Sequence, residues 1–214
     1  MKEFNMSSFN EFPVMGIMRG FTLEETLPLM DVLISENWPC LEVTMNTENV
    51  ALQIKELSRR YGDSINIGAG TVTSVQELEE ALMAGANFIV TPILNLEVIR
   101  RCVNESIPVF PGAFSPTEIF TAWQEGASMV KVFPANQLGP SYIKNVKAPL
   151  SKIKLLATGG ISCDNAEQYL NAGAAGFGIG SAVLKKDKIL DQDWVWIREQ
   201  IQKLRSLFPQ NKQA

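Results

Sequence analysis

Residues 64–91 read SINIGAGTVTSVQELEEALMAGANFIVT, and their pattern decides the fold. The stretch opens on Ser64–Gly70, apolar on both parities rather than alternating. A strand with one wet face would alternate, so the run predicts a parallel strand covered on both sides. Ser74 and Glu77 have the spacing of a capping box, and Val75–Ala84 carries a helical period. Gly85 then stops the helix, since glycine takes the left-handed C′ conformation without a Cβ penalty. Asn87–Thr91 follows as a second apolar run. Strand, helix and strand joined by short links make one βαβ unit.

The same grammar extends in both directions. Pro13–Met18, Cys40–Met45, Pro108–Pro111, Met129–Phe133, Lys154–Ala157 and Gly176–Ile179 complete eight candidate strands. Helical patterns lie at Leu23–Glu36, Asn49–Arg60, Leu96–Glu105 and Ala166–Ala172, with starts marked by Thr22, Thr47, Asn95, Ser115 and Ser162. Thr22 with Glu25 and Ser115 with Glu118 repeat the capping-box spacing. Gly85, Gly126 and Gly173, in Ala84-Gly85-Ala86, Glu125-Gly126-Ala127 and Ala172-Gly173-Ala174, each stop a helix just before a strand, and Asn37 can play the same part. The spacing of these stops is about two strand–helix units, an internal periodicity within one architecture. Eight such units in 214 residues predict an α/β fold, a single (β/α)8 TIM barrel near the lower size limit. Residues 1–12 are expected as a short N-terminal helical segment, 13–208 as the barrel and 209–214 as a C-terminal tail. An open doubly wound sheet is the alternative; Gly16-Ile17-Met18-Arg19-Gly20 does not fit the GxGxxG that would support it.

Composition narrows the chemistry. With 19 basic and 23 acidic side chains the net charge is −4, and 46% of residues are hydrophobic. That balance suits a globular protein and gives no electrostatic footprint for nucleic acid. There is no histidine, so histidine triads, histidine general bases and histidine-ligated metals are excluded. Cys40, Cys102 and Cys163 are odd in number and lack the CxxC spacing, so neither a disulfide framework nor a metal knuckle is indicated. No apolar run suits a signal peptide or a membrane helix. A reduced, cytoplasmic, soluble protein with no membrane partner is expected.

Polar residues in or after apolar strands carry the functional signal, because barrel sites form at the strand C-termini. Lys131 is the one charge in Met129–Phe133. A buried ammonium is costly, and a lysine so placed can lose its proton and act as a nucleophile. Otherwise it lies at an edge and reaches water. Glu42 is the matching anomaly in Cys40–Met45, and period two places Cys40, Glu42 and Thr44 on one face. Facing inward, Glu42 could share a cavity with Lys131, as a proton shuttle or as an inert ion-pair partner. Arg19 ends the first strand and could fork onto a carboxylate, or simply face solvent. Thr71 ends the third strand. Thr158-Gly159-Gly160-Ile161 and Gly178-Ile179-Gly180-Ser181 follow strands seven and eight, the usual phosphate site of this architecture.

These residues resemble one family, that of 2-keto-3-deoxy-6-phosphogluconate (KDPG) and 4-hydroxy-2-oxoglutarate (KHG) aldolases, with their 6-phosphogalactonate relatives. The resemblance spans about Pro13 to Leu184. It rests on Gly16–Gly20, Leu41–Thr44, Gly68–Val72, Val90–Pro92, Phe110–Gly112, Val130–Pro134, Ala157–Ile161 and Gly178–Ser181 in that order. It implies a class I aldolase that cleaves a phosphorylated keto acid to pyruvate and an aldehyde. By the same resemblance Lys131 forms the imine and Glu42 moves protons. Arg19, Thr71 and Pro92 line the pyruvate end, and Phe133 packs on the keto acid. Thr158, Gly159, Gly160, Gly180 and Ser181 belong to the strand-seven and strand-eight loops that would hold the phosphate. No metal or other cofactor is expected, since the imine serves as the electron sink. A homotrimer is implied as well. Asn46 stands where some members carry an arginine, which shifts carboxylate recognition to Arg19 and resembles the galactonate-type enzymes. A phosphosugar isomerase or synthase without an imine, and a non-catalytic phospho-ligand barrel, are the rival readings.

Overall fold

Nine parallel strands run in the expected order in the computed structural model, which describes residues 2–208. They are β1 (Val14–Met18), β2 (Cys40–Thr44), β3 (Asn66–Gly70), β4 (Ile89–Val90), β5 (Val109–Phe110), β6 (Gly112–Ala113), β7 (Val130–Val132), β8 (Leu155–Thr158) and β9 (Gly176–Ile179). The helices are α1 (Met6–Glu11), α2 (Leu23–Ser35), α3 (Val50–Tyr61), α4 (Val75–Met83), α5 (Leu96–Asn104), α6 (Pro116–Gln124), α7 (Ala135–Lys147), α8 (Ala166–Asn171), α9 (Lys186–Leu190) and α10 (Trp194–Arg205). The expected tail, 209–214, lies outside the described residues.

The strand order is β5-β4-β3-β2-β1-β9-β8-β7-β6. Its two ends are halves of one strand, interrupted at Pro111, so the sheet is a barrel of eight strands with the fifth one broken. The run Pro108–Pro111 was expected as one uninterrupted strand; instead it divides at Pro111 and continues to Ala113. Proline has no N–H to give the ladder. Its carbonyl still accepts the Lys131 N–H at 2.8 Å, and the Gly112 N–H turns to Thr91 Oγ1 at 3.2 Å.

Helix ends follow local chemistry closely. Thr22 with Glu25 and Ser115 with Glu118 form reciprocal capping boxes. The Ser74–Glu77 box is only half made, a correction to the expectation. Ser74 accepts the Glu77 N–H, but the Glu77 carboxylate takes the N–H and hydroxyl of Thr73. Thr47 and Ser162 do not cap helices either. Asn49, in left-handed backbone, precedes α3, and Asn165 precedes α8. At the other ends Asn37, Gly85, Gly126 and Gly173 all have positive φ. After each, the next residue's N–H bonds back five positions, as from Ala86 to Ala81 at 3.0 Å. Ser106 ends α5 in the same way, with φ 57°, and lacks the glycine that would have marked it.

Two apolar layers result. One lies between the sheet and its helices, with Leu29, Ile54, Val98 and Ile119 among its buried members. The other fills the lower barrel with Met15, Cys40, Phe88, Val90, Phe110, Met129 and Leu156, and Phe4 and Phe9 join it from outside. Phe4 and Phe9 meet Phe88 and Phe110 edge-on with ring centroids 5.5 Å apart. The backbone of Asn5 exchanges hydrogen bonds with the Asn66 side chain at the start of β3. The segment around α1 therefore stoppers the N-terminal end of the barrel and leaves the strand C-termini as its open face. Among the described residues no helix is long and apolar enough to cross a membrane.

Candidate active site

The period-two rule turns Cys40, Glu42 and Thr44 of β2 toward the barrel axis, together with Met129, Lys131 and Phe133 around β7. Cys40 and Met129 belong to the interior apolar layer. Glu42 and Lys131 come just above it, 1% and 4% exposed. Room for Glu42 and Thr158 comes from glycines. A Cβ on Gly70 would lie 2.4 Å from Glu42 Oε1, and one on Gly178 would lie 2.4 Å from Thr158 Oγ1.

Lys131 and Glu42 do not form the contact ion pair weighed as their inert role. Among the described residues no carboxylate oxygen approaches the Lys131 amine within 4.0 Å. The Lys131 amine stands over the Phe133 ring, 5.0 Å from its centroid. Burial holds Lys131 below the ordinary lysine value of 10.5; Glu42 opposes that shift and Arg19 adds to it. Burial likewise pushes the Glu42 carboxyl above 4.5, against the pull of Lys131 and Arg19. Both shifts favour the neutral forms, an amine able to attack a carbonyl and an acid able to return a proton. Glu42 Oε2 and Thr158 Oγ1 are buried without a hydrogen-bond partner. Polar atoms left so are costly, and they are groups a polar ligand or water would satisfy.

Above this floor lies a cavity of about 370 Å³ between the ends of β1, β7, β8 and β9. Lys131 and Phe133 line it with Arg19, Thr158, Gly159, Gly160, Gly180 and Ser181. Gly159 and Gly160 have φ of 97° and 71°, and a Cβ on Gly160 would strike Asn136 at 2.6 Å. The N–H groups of Gly160, Ser181 and Ala182 meet no acceptor among the described residues. This is the donor arrangement an anion needs.

Glu42, Thr71 and Pro92 stand outside the cavity lining. Glu42 lies against Gly70, and Thr71 follows directly. Thr71 has φ 59°, an outlier for a β-branched residue and of the kind that gathers at functional sites. The Pro92 backbone closes on Gly112, where a Cβ would come within 2.4 Å of it. Phe21, Ala182, Leu184 and Lys186 also line the cavity and lay outside the motifs read in the sequence, while Ile17 and Ile161 lay inside quoted motifs without a role assigned to them. Ile17 could have been found by stepping two residues back from Arg19. The others depend on loop paths.

Known proteins share this fold and much of this sequence. A family model described as KDPG and KHG aldolase matches residues 6–200. The 2-dehydro-3-deoxy-6-phosphogalactonate aldolase of Escherichia coli K12 is 36% identical over 183 residues, covering 85% of this chain and 89% of that one. The 2-dehydro-3-deoxy-phosphogluconate aldolase of Treponema pallidum is 36% identical over 159 residues, 74% of each chain. Among solved structures, a native KDPGal structure superposes with a TM-score of 0.84 at 34% identity, covering 92% of this chain and 94% of the other. The KDPG aldolase of Legionella pneumophila, with pyruvate captured as a covalent carbinolamine, gives 0.83 at 28% identity, covering 95% and 97%.

Proposed function

The chain belongs to the KDPG and KHG aldolase family, and from that membership we propose that it cleaves a 2-keto-3-deoxy-6-phospho sugar acid through an imine at Lys131. The observation that carries this reading is the unpaired Lys131 amine, buried, shifted toward its neutral form and bordering a cavity rimmed by free N–H donors. The neutral amine attacks the C2 ketone, and the neutral Glu42 carboxyl gives its proton to the departing hydroxyl, so that loss of water leaves a protonated imine and an ionised Glu42. Glu42 takes the C4 hydroxyl proton as the C3–C4 bond breaks, and that electron pair moves into the imine to give an enamine. The aldehyde leaves, the enamine takes a proton at C3, and hydrolysis releases pyruvate and Lys131.

Arg19, at the cavity rim, supplies a fork for the C1 carboxylate. Gly159, Gly160 and Ser181 receive the phosphate through backbone N–H groups, with Gly180 shaping the second loop. Phe133 packs on the keto acid, and Thr158 offers its unpartnered hydroxyl. Thr71 and Pro92 sit on the Glu42 side of the pyruvate end. The homotrimer and the cytoplasmic setting belong to the same proposal.

The test is pyruvate release from KDPG, its galactonate epimer and 4-hydroxy-2-oxoglutarate, followed in parallel. Turnover of a phosphorylated substrate should exceed that of 4-hydroxy-2-oxoglutarate. Pyruvate release from none of the three would end the reading.

A further inference from the structure

Lys186 is a third cation in the cavity lining, beside Arg19 and Lys131, and neither the strand pattern nor the family motifs assign it a part. It is the first residue of α9 and lines the same cavity as Gly160 and Ser181. Its Nζ donates to the Gly20 carbonyl at 2.8 Å and stands 5.2 Å from the centroid of the Phe21 ring. Glu25 Oε2, 3.6 Å away, makes an ion pair with it that is longer than a hydrogen bond, and that oxygen already accepts the Thr22 N–H at 2.8 Å. An ammonium has three donors. Its one hydrogen bond among the described residues goes to Gly20, so the group is held at the rim with donors to spare.

The chemistry of the distal end asks for such a group. A phosphate monoester carries about −1.5 to −2 charges at neutral pH, whereas the N–H groups of Gly160, Ser181 and Ala182 are neutral. Lys131 lies on the cavity floor beside Phe133, and Arg19 is committed to the carboxylate in the proposed function. We propose that Lys186 reads the charge of the distal phosphate and so sets the preference for phosphorylated over unphosphorylated keto acids. This rests on the phosphate site of the proposed function. A competing role is purely mechanical. Thr47 Oγ1 accepts the Gly20 N–H at 3.2 Å and Lys186 takes the carbonyl of the same residue, so the lysine could act only by steadying neighbouring Arg19. That role would touch both substrate classes alike.

The experiment compares KM and kcat for KDPG and for its unphosphorylated analogue, 2-keto-3-deoxygluconate, in wild type, Lys186→Gln and Lys186→Arg. KM is read because it does not depend on the folded fraction. In the Gln variant KM for the phosphorylated substrate should rise about tenfold relative to KM for the other, as loss of a charge-assisted contact implies. Arginine should restore most of the ratio. The wild-type preference should strengthen between pH 5 and 7 as the phosphate loses its second proton near a pKa of about 6, and the Gln variant should lose most of that gain. Equal KM changes for the two substrates, or none, would overturn the proposal. The underlying phosphate site is checked separately with Gly160→Val. If wild type shows no preference, or Gly160→Val leaves the preference intact, that reading fails, and the role of Lys186 with it.

Discussion

Replacing Gly70 by alanine tests whether the position of Glu42 matters to chemistry beyond its charge. Gly70 has ordinary negative φ, so the added methyl carries no backbone strain. Its Cβ would lie 2.4 Å from Glu42 Oε1 and 2.5 Å from Cδ. Non-bonded contacts are comfortable at about 3.5 Å, so the carboxyl group must retreat by about 1 Å. Glu42 is 1% exposed, so its displacement is taken up inside the barrel, and overpacking of this kind costs about 1–3 kcal/mol. A misplacement of about 1 Å in a reacting group costs about 10²-fold in rate. Gly70→Ala should therefore lower stability by that amount in urea unfolding. It should also slow solvent deuterium incorporation into pyruvate about 10²-fold, while imine formation at Lys131 persists. Gly68→Ala is the control, because its Cβ would strike the Phe88 ring at 2.5 Å, in the apolar layer beneath. It should cost stability but leave exchange per folded molecule near wild type. Normal exchange in Gly70→Ala, or an equal loss in Gly68→Ala, would refute the reasoning.

Two further outcomes follow from the shifted Lys131–Glu42 site. Because burial holds Lys131 below 10.5, the unfolded chain binds more protons than the folded one between the lowered value and 10.5. Wild-type stability should therefore climb with pH in that window, by up to about 1.36 kcal/mol per unit. Lys131→Met should lose the climb and be at least as stable as wild type at pH 7 while inactive; parallel pH dependence in urea unfolding would contradict this. Glu42→Gln should still trap pyruvate as an imine, yet cleavage and C3 proton exchange should fall about 10²–10⁴-fold. Near wild-type exchange by mass spectrometry would transfer the role to another group, such as the Thr71 hydroxyl.

The barrel was legible because its marks are local. One charge in an apolar strand exposes Lys131 and Glu42, and a glycine with an alanine after it stops a helix at Gly85, Gly126 and Gly173. What escaped depends on contacts between distant segments. Pro111 reads as the end of a strand, but it interrupts one whose pairing passes from β4 to β7. Thr47 has a cap's composition, yet its hydroxyl meets Thr44 at 3.0 Å and receives the Gly20 N–H at 3.2 Å. Thr71 stood out as a polar strand end, with no sign of its left-handed backbone. Phe21, Leu184 and Lys186 reach the cavity because the loops after β1 and β9 meet at its rim, and no periodicity encodes that meeting.

The central claim is that Lys131 is the nucleophile. Incubation with pyruvate and borohydride, followed by digestion and mass spectrometry, addresses it directly. One stable reduced adduct should form on the peptide containing Lys131 and be absent from Lys131→Ala. An adduct on Lys144 or Lys147 instead, or no adduct from an enzyme that releases pyruvate from KDPG, would contradict it.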